Sequence, residues 1–134
     1  MKLKRAGHEK LFDKFEFIVC CSTDPEVKQG KPHPDAFDVA RRRFSPIPDP
    51  EKCLAFEDST NGVKSAIAAG MQCVMVPGNL IYLIETFIGF RFPKAHYFIL
   101  FSDKRLKPEE CANATIVLKS LEDFDPADFN LPQY

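Results

Sequence analysis

The stretch from Lys52 to Val76 constrains the fold more than any other part of the chain. Lys52-Cys-Leu-Ala-Phe56 is short and apolar and runs into the acidic pair Glu57-Asp58. Ser59-Thr-Asn-Gly62 then reads as a turn into a helix over 63–69, with Gly70 placed as its C′ residue. Met71-Gln-Cys-Val-Met-Val76 is a second apolar run, stopped by Pro77-Gly78. Two short strands joined through a helix lie parallel rather than as a hairpin, with a right-handed crossover. Glu57 and Asp58 are therefore expected at the carboxyl end of a parallel strand, where open α/β sheets place their sites.

The remaining segments are consistent with that class. Residues 15–21 are aromatic and β-branched and predict a buried strand, with a helix over 7–14 packing nearby. Residues 22–34 carry loop chemistry. From Asp35, the apolar residues Phe37, Val39, Ala40 and Phe44 recur at roughly helical spacing; Pro34 stands near the start, and Arg41, Arg42 and Arg43 fall in the last turn, where cations favour the helix dipole. That helix is expected to stop at Ser45-Pro-Ile-Pro-Asp-Pro50. Further on, 107–111 reads as a short helix, 114–118 as a strand, and 120–124 as a helical turn opened by Ser120.

A length of 134 residues suits one unit, so 1–134 is taken as a single domain. With 45% hydrophobic and 28% charged residues it has the apolar material for a core. The formal net charge of -1 gives no electrostatic reason to expect nucleic acid or an anionic membrane as a partner. Residues 80–101 are apolar in part, but Glu85, Arg91, Lys94 and His96 interrupt them too often for a membrane span. Cys20, Cys21, Cys53, Cys73 and Cys111 are odd in number and show no C-x-x-C spacing, which fits reduced thiols. The basic N-terminus is followed by no apolar segment of the kind a secretory signal requires, so the cytoplasm is the expected location.

Two constellations carry chemistry: Gly30-Lys31-Pro32-His33-Pro34 and Phe56-Glu57-Asp58-Ser59-Thr60-Asn61-Gly62. Each alone is ordinary. A lysine before proline is usually at the surface, and an acidic pair after a strand is usually a solvated turn, although paired carboxylates also suit a hard cation such as Mg2+. His8, His33 and His96 are scattered and fit surface or loop positions. Order and spacing carry more information. Lys-Pro, a helix, a strand ending in Glu-Asp-Ser-x-x-Gly, then Ala-Ala-Gly-Met and Val-Met-Val-Pro resembles the C-terminal half of phosphatases of the haloacid dehalogenase superfamily, over about 1–77 and again from about 103–134. The stretches 24–35, 43–46 and 51–58 look most like the pseudouridine-5′-phosphatase branch of that superfamily.

The resemblance implies part of a three-layer, Rossmann-like α/β core with a parallel sheet, lacking the first strand and the helical cap. It implies that Lys31 neutralises charge between a nucleophilic aspartate and the phosphoryl oxygens, a role suited to a compact ammonium. Asp58 matches the Mg2+-binding acid, with Glu57 beside it reaching the metal directly or through water. Ser59 and Asn61 would shape the loop, and Gly62 would let the backbone turn into its helix. The substrate class implied is a small phosphomonoester, pseudouridine 5′-phosphate or a sugar phosphate. No Asp-x-Asp-Gly-Thr motif occurs in the chain, so the nucleophile is missing and the chain is expected to be inactive alone. The alternative is a non-catalytic interaction or regulatory product. Residues 78–102 separate Val-Met-Val-Pro from an Asp that relatives of this type place soon after it, and they read as an insertion. Both boundaries can be spelled as splice sites, so a retained intron is the expected origin, with a surface loop or hairpin as the alternative.

Overall fold

The apolar run from Cys53 to Glu57 has strands on both sides of it. In the computed structural model, which describes residues 16–76, 96–99, 113–119 and 121–131, all five of its residues are buried. In chain order the elements are α1 (Asp35–Arg42), β1 (Cys53–Glu57), α2 (Thr60–Ala68), β2 (Gln72–Met75), β3 (His96–Ile99) and β4 (Ile116–Val117). Short 3-10 turns cover Pro50–Lys52, Leu121–Asp123 and Pro126–Phe129. The sheet order is β3-β1-β2-β4. Every pairing is parallel: Ala55 lies opposite Cys73 on one side and Phe98 on the other, and Val74 opposite Ile116. This is an α/β arrangement consistent with part of a Rossmann-like core, as the β1–α2–β2 pattern predicts. A parallel strand inside a sheet is covered on both faces, which explains why Cys53-Leu-Ala-Phe56 is continuously apolar rather than alternating.

The helices supply the covering. α1 buries Ala36, Phe37, Val39 and Ala40, carries Asp35 and Asp38 in its first turn and Arg41 and Arg42 in its last, and is preceded by Pro34. α2 is capped by Ser59, whose hydroxyl oxygen accepts the Gly62 N–H at 3.1 Å. Gly70 ends it in the left-handed region at φ 77°, where a glycine avoids the Cβ penalty. Phe37, Ala55, Val63, Ala66, Cys73 and Met75 form the centre of the core. No helix among the described residues is long and apolar enough to cross a membrane.

Several expectations change. α2 starts at Thr60, not Val63, because Ser59 already has extended backbone and acts as the cap. Residues 16–20 form no strand, since a strand exists only as part of a ladder and none of the described strands pairs with them. Two of their apolar side chains are used in packing instead: Phe17 meets Phe44 edge to face at 4.7 Å, and both it and Val19 lie against the core, while Ile18 is exposed. The strand expected over 114–118 shortens to β4, although Thr115 N–H and Leu118 N–H continue its bonding to Cys73 and Met75 carbonyls. Within the segment read as an insertion, residues 96–99 form β3 beside β1. The helices expected over 7–14 and 107–111 lie outside the described residues, as does Ser120.

Candidate functional site

The carboxyl end of β1 and the loop before α1 meet in space, which the separation of Lys31 and Glu57 along the chain does not itself require. Glu57, the last residue of β1, is completely buried. Its Oε1 accepts a hydrogen bond from Lys31 Nζ at 2.6 Å, and the lysine side chain is only 12% exposed. Pairing decides whether a carboxylate survives there, because an isolated buried charge is far costlier than one with a matched, hydrogen-bonded partner. Burial nevertheless dominates and pushes the Glu57 carboxyl up to about 7, with the Lys31 ammonium pulling the other way and Asp58 adding to the rise. The Lys31 ammonium also stands 5.9 Å from the centre of the Phe37 ring.

The turn between β1 and α2 closes over the second carboxylate oxygen. Ser59 Oγ lies 3.4 Å from Glu57 Oε2 and donates to it while accepting the Gly62 N–H. Gly62 has no side chain, and a Cβ there would lie 1.7 Å from Glu57 Oε2. Its role therefore differs from the one expected. It sits inside the first turn of α2 with no positive φ, and its lack of a side chain makes room for the glutamate rather than easing a bend. Asp58 follows at the strand end and is buried with its neighbour, 6% exposed. Asn61 is exposed on the first turn of α2.

The loop that carries Lys31 is held on several sides. The Asp35 carboxylate, at the start of α1, accepts main-chain N–H groups from both Lys28 and Gln29, and those bonds, that from Gln29 foremost, hold its carboxyl below the usual range. His33 N–H donates to the Gly30 carbonyl at 3.1 Å. The Ser65 hydroxyl on α2 donates to the His33 carbonyl at 2.6 Å. Behind them, Arg43 at the end of α1 pairs with Asp24 at 2.8 Å and with Glu26 at 2.6 Å, tying down the preceding loop.

Of the residues singled out in the sequence, Lys31, Glu57, Asp58, Ser59 and Gly62 gather at one strand end. Asp35 and Ser65 were missed. Asp35 reads from sequence as an ordinary first-turn acid, and the one signal for Ser65 is a hydroxyl at a position where α2 otherwise buries Val63 and Ala66. Chemically the donor set suits a hard cation in kind, being carboxylate oxygen, but Glu57 has its charge matched to Lys31. Among the described residues no three His, Cys, Asp or Glu side chains are grouped as a metal site.

Against known proteins, residues 2–70 match the family model for haloacid dehalogenase-like hydrolases. The whole chain is 44% identical over 134 residues to a Drosophila melanogaster protein named probable pseudouridine-5′-phosphatase, of which it covers 47%. It is 39% identical over 133 residues to (DL)-glycerol-3-phosphatase 1, mitochondrial, of Arabidopsis thaliana, with 98% of this chain and 36% of that protein covered. A second Arabidopsis thaliana protein, (DL)-glycerol-3-phosphatase 2, is 38% identical over 133 residues, covering 98% of this chain and 45% of its own length. The chain thus spans less than half the length of these relatives.

Proposed function

The chain belongs to the haloacid dehalogenase-like hydrolase family, and from that premise we propose that it forms the lysine-and-carboxylate half of a Mg2+-dependent phosphatase centre for small phosphomonoesters. The observation that carries this reading is the Lys31–Glu57 contact at 2.6 Å at the carboxyl end of β1, beside Asp58. A buried carboxylate aims the ammonium, and an aimed cation in a largely dry setting stabilises developing negative charge on phosphoryl oxygens better than a mobile one in water. Asp58 would hold Mg2+, which when bound supplies Lewis-acid neutralisation of the phosphoryl group. Glu57 is assigned to Lys31 rather than to the metal, since its Oε1 is already taken by the ammonium. The substrates we favour are pseudouridine 5′-phosphate and a polyol or sugar phosphate, after the named activities of the fly and plant relatives.

No aspartate in an Asp-x-Asp-Gly-Thr setting occurs in these 134 residues, so the attacking group must come from elsewhere and the chain alone should release no phosphate. The test is phosphate release from pseudouridine 5′-phosphate and glycerol 3-phosphate, with Mg2+ or with EDTA. The chain alone is compared with a fusion to the unmatched part of the fly relative. We expect release only from the fusion and only with Mg2+, falling by about 10²–10³-fold in Lys31→Ala, the scale for removing one group that stabilises charge in a transition state. Release by the chain alone overturns the half-site assignment. No release by a folded fusion overturns the phosphatase reading.

A further inference from the structure

We propose that Ser65 is a positioning residue for Lys31, acting through the main chain of His33. Ser65 is wholly buried, on the face of α2 that also buries Val63 and Ala66. A helical serine commonly returns its hydroxyl to the carbonyl a turn earlier. This one donates instead to the His33 carbonyl, at 2.6 Å, in a segment far away along the chain. His33 N–H closes the turn back to Gly30 O at 3.1 Å, and the two residues inside that turn are Lys31 and Pro32. With the Asp35 carboxylate holding the N–H groups of Lys28 and Gln29, the loop is tied to α1 on its near side and to α2 on its far side.

The geometry matters because of what α2 carries at its start. Its cap and first turn follow Asp58 directly and enclose the Glu57 carboxylate. Through Ser65 the same rigid helix that frames both acids also holds the loop that delivers the cation. Lysine has a flexible four-carbon stem, so a fixed loop is needed for its ammonium to stay in one place. Removing the hydroxyl takes away the donor to the His33 carbonyl and unties the far side of the loop from α2. What Lys31 does once held rests on the function proposed above, whereas the tether itself is measurable in a chain that hydrolyses nothing, so the two can fail separately.

The experiment is 15N relaxation on the full chain, comparing the unmodified protein with Ser65→Ala and Val63→Ala. In the unmodified chain the Lys31 and His33 amides are expected to show the order parameters of rigid backbone, about 0.85, and in Ser65→Ala to fall below about 0.6, with Leu54, Ala55 and Val74 unchanged. The hydrogen-bonded Lys31 ammonium signal should be seen in the first and lost in the second. Val63→Ala removes core volume from the same helix but keeps the Ser65 hydroxyl, and should leave the loop at its original values. Unchanged order in Ser65→Ala overturns the assignment, as does equal loosening in Val63→Ala, which would make loop order a reflection of overall stability. Should Ser65→Ala give no dispersed spectrum, Ser65→Thr keeps the donor and must keep Lys31 and His33 ordered; loss of order there also overturns the assignment.

Discussion

A methyl group at position 62 would enter the space held by the Glu57 carboxylate, coming 2.1 Å from its Cδ and closer still to Oε2. The atom it meets belongs to a side chain anchored by Lys31 and packed on all sides, so neither partner can move aside cheaply. Gly62→Ala should therefore destabilise by about 3 kcal/mol, the upper part of the range for overpacking a close-packed interior. Urea unfolding measures it. A cycle with Glu57→Ala should show strong non-additivity, because deleting the glutamate side chain removes what the new methyl collides with. Additive effects would mean that the strain lies elsewhere. From sequence, Gly62 looked like a residue that bends the chain. Its partner is set by the third dimension, and no local pattern announces that a strand-end glutamate will fold back under the following helix.

At the scale of elements, α2 depends on Ser59, which supplies the cap and also faces Glu57. Ser59→Ala is expected to cost about 1 kcal/mol for the cap alone, with Ser59→Thr keeping most of that, again by urea midpoint. Loss of less than a few tenths would show that the first turn of α2 is satisfied by other groups. The helices and the two central strands were legible in the sequence because each announces itself locally: Pro34 and the arginines around α1, Gly70 after α2, apolar runs bounded by turns. Residues 16–20 were misread for the same reason. Aromatic and β-branched composition reports a preference for a half-buried pleated surface, not the presence of a neighbouring strand, and Phe17 found Phe44 on the end of a helix instead.

Across the whole molecule, the buried pair ties folding to pH. Glu57 is raised from its ordinary value of 4.5 to about 7, so between those values the folded state holds a proton that the unfolded state has released. Its contribution is fully present below pH 4.5, declines as pH rises to about 7, and is then constant, a span on the order of 3 kcal/mol. The depressed carboxyls of Asp35 and Asp49 act oppositely and at lower pH, their stabilisation being lost as pH falls below the ordinary aspartate range. Urea midpoints from pH 4.5 to 8 in EDTA should thus slope downward in the unmodified chain and lose most of that slope in Glu57→Gln; parallel curves would refute the assignment. Lys31, Glu57, Asp58, Ser59 and Gly62 could be singled out beforehand because the order of motifs along a chain is a one-dimensional property. The sequence by itself determined the parallel β1–α2–β2 unit and the placing of the acids at its strand end, since periodicity, caps and apolar runs act over a few residues. Only tertiary structure decided that Glu57 turns inward to Lys31, that β3 pairs with β1, and that Ser65 reaches His33, because these contacts join distant segments through burial and directional hydrogen bonds that local propensity does not encode.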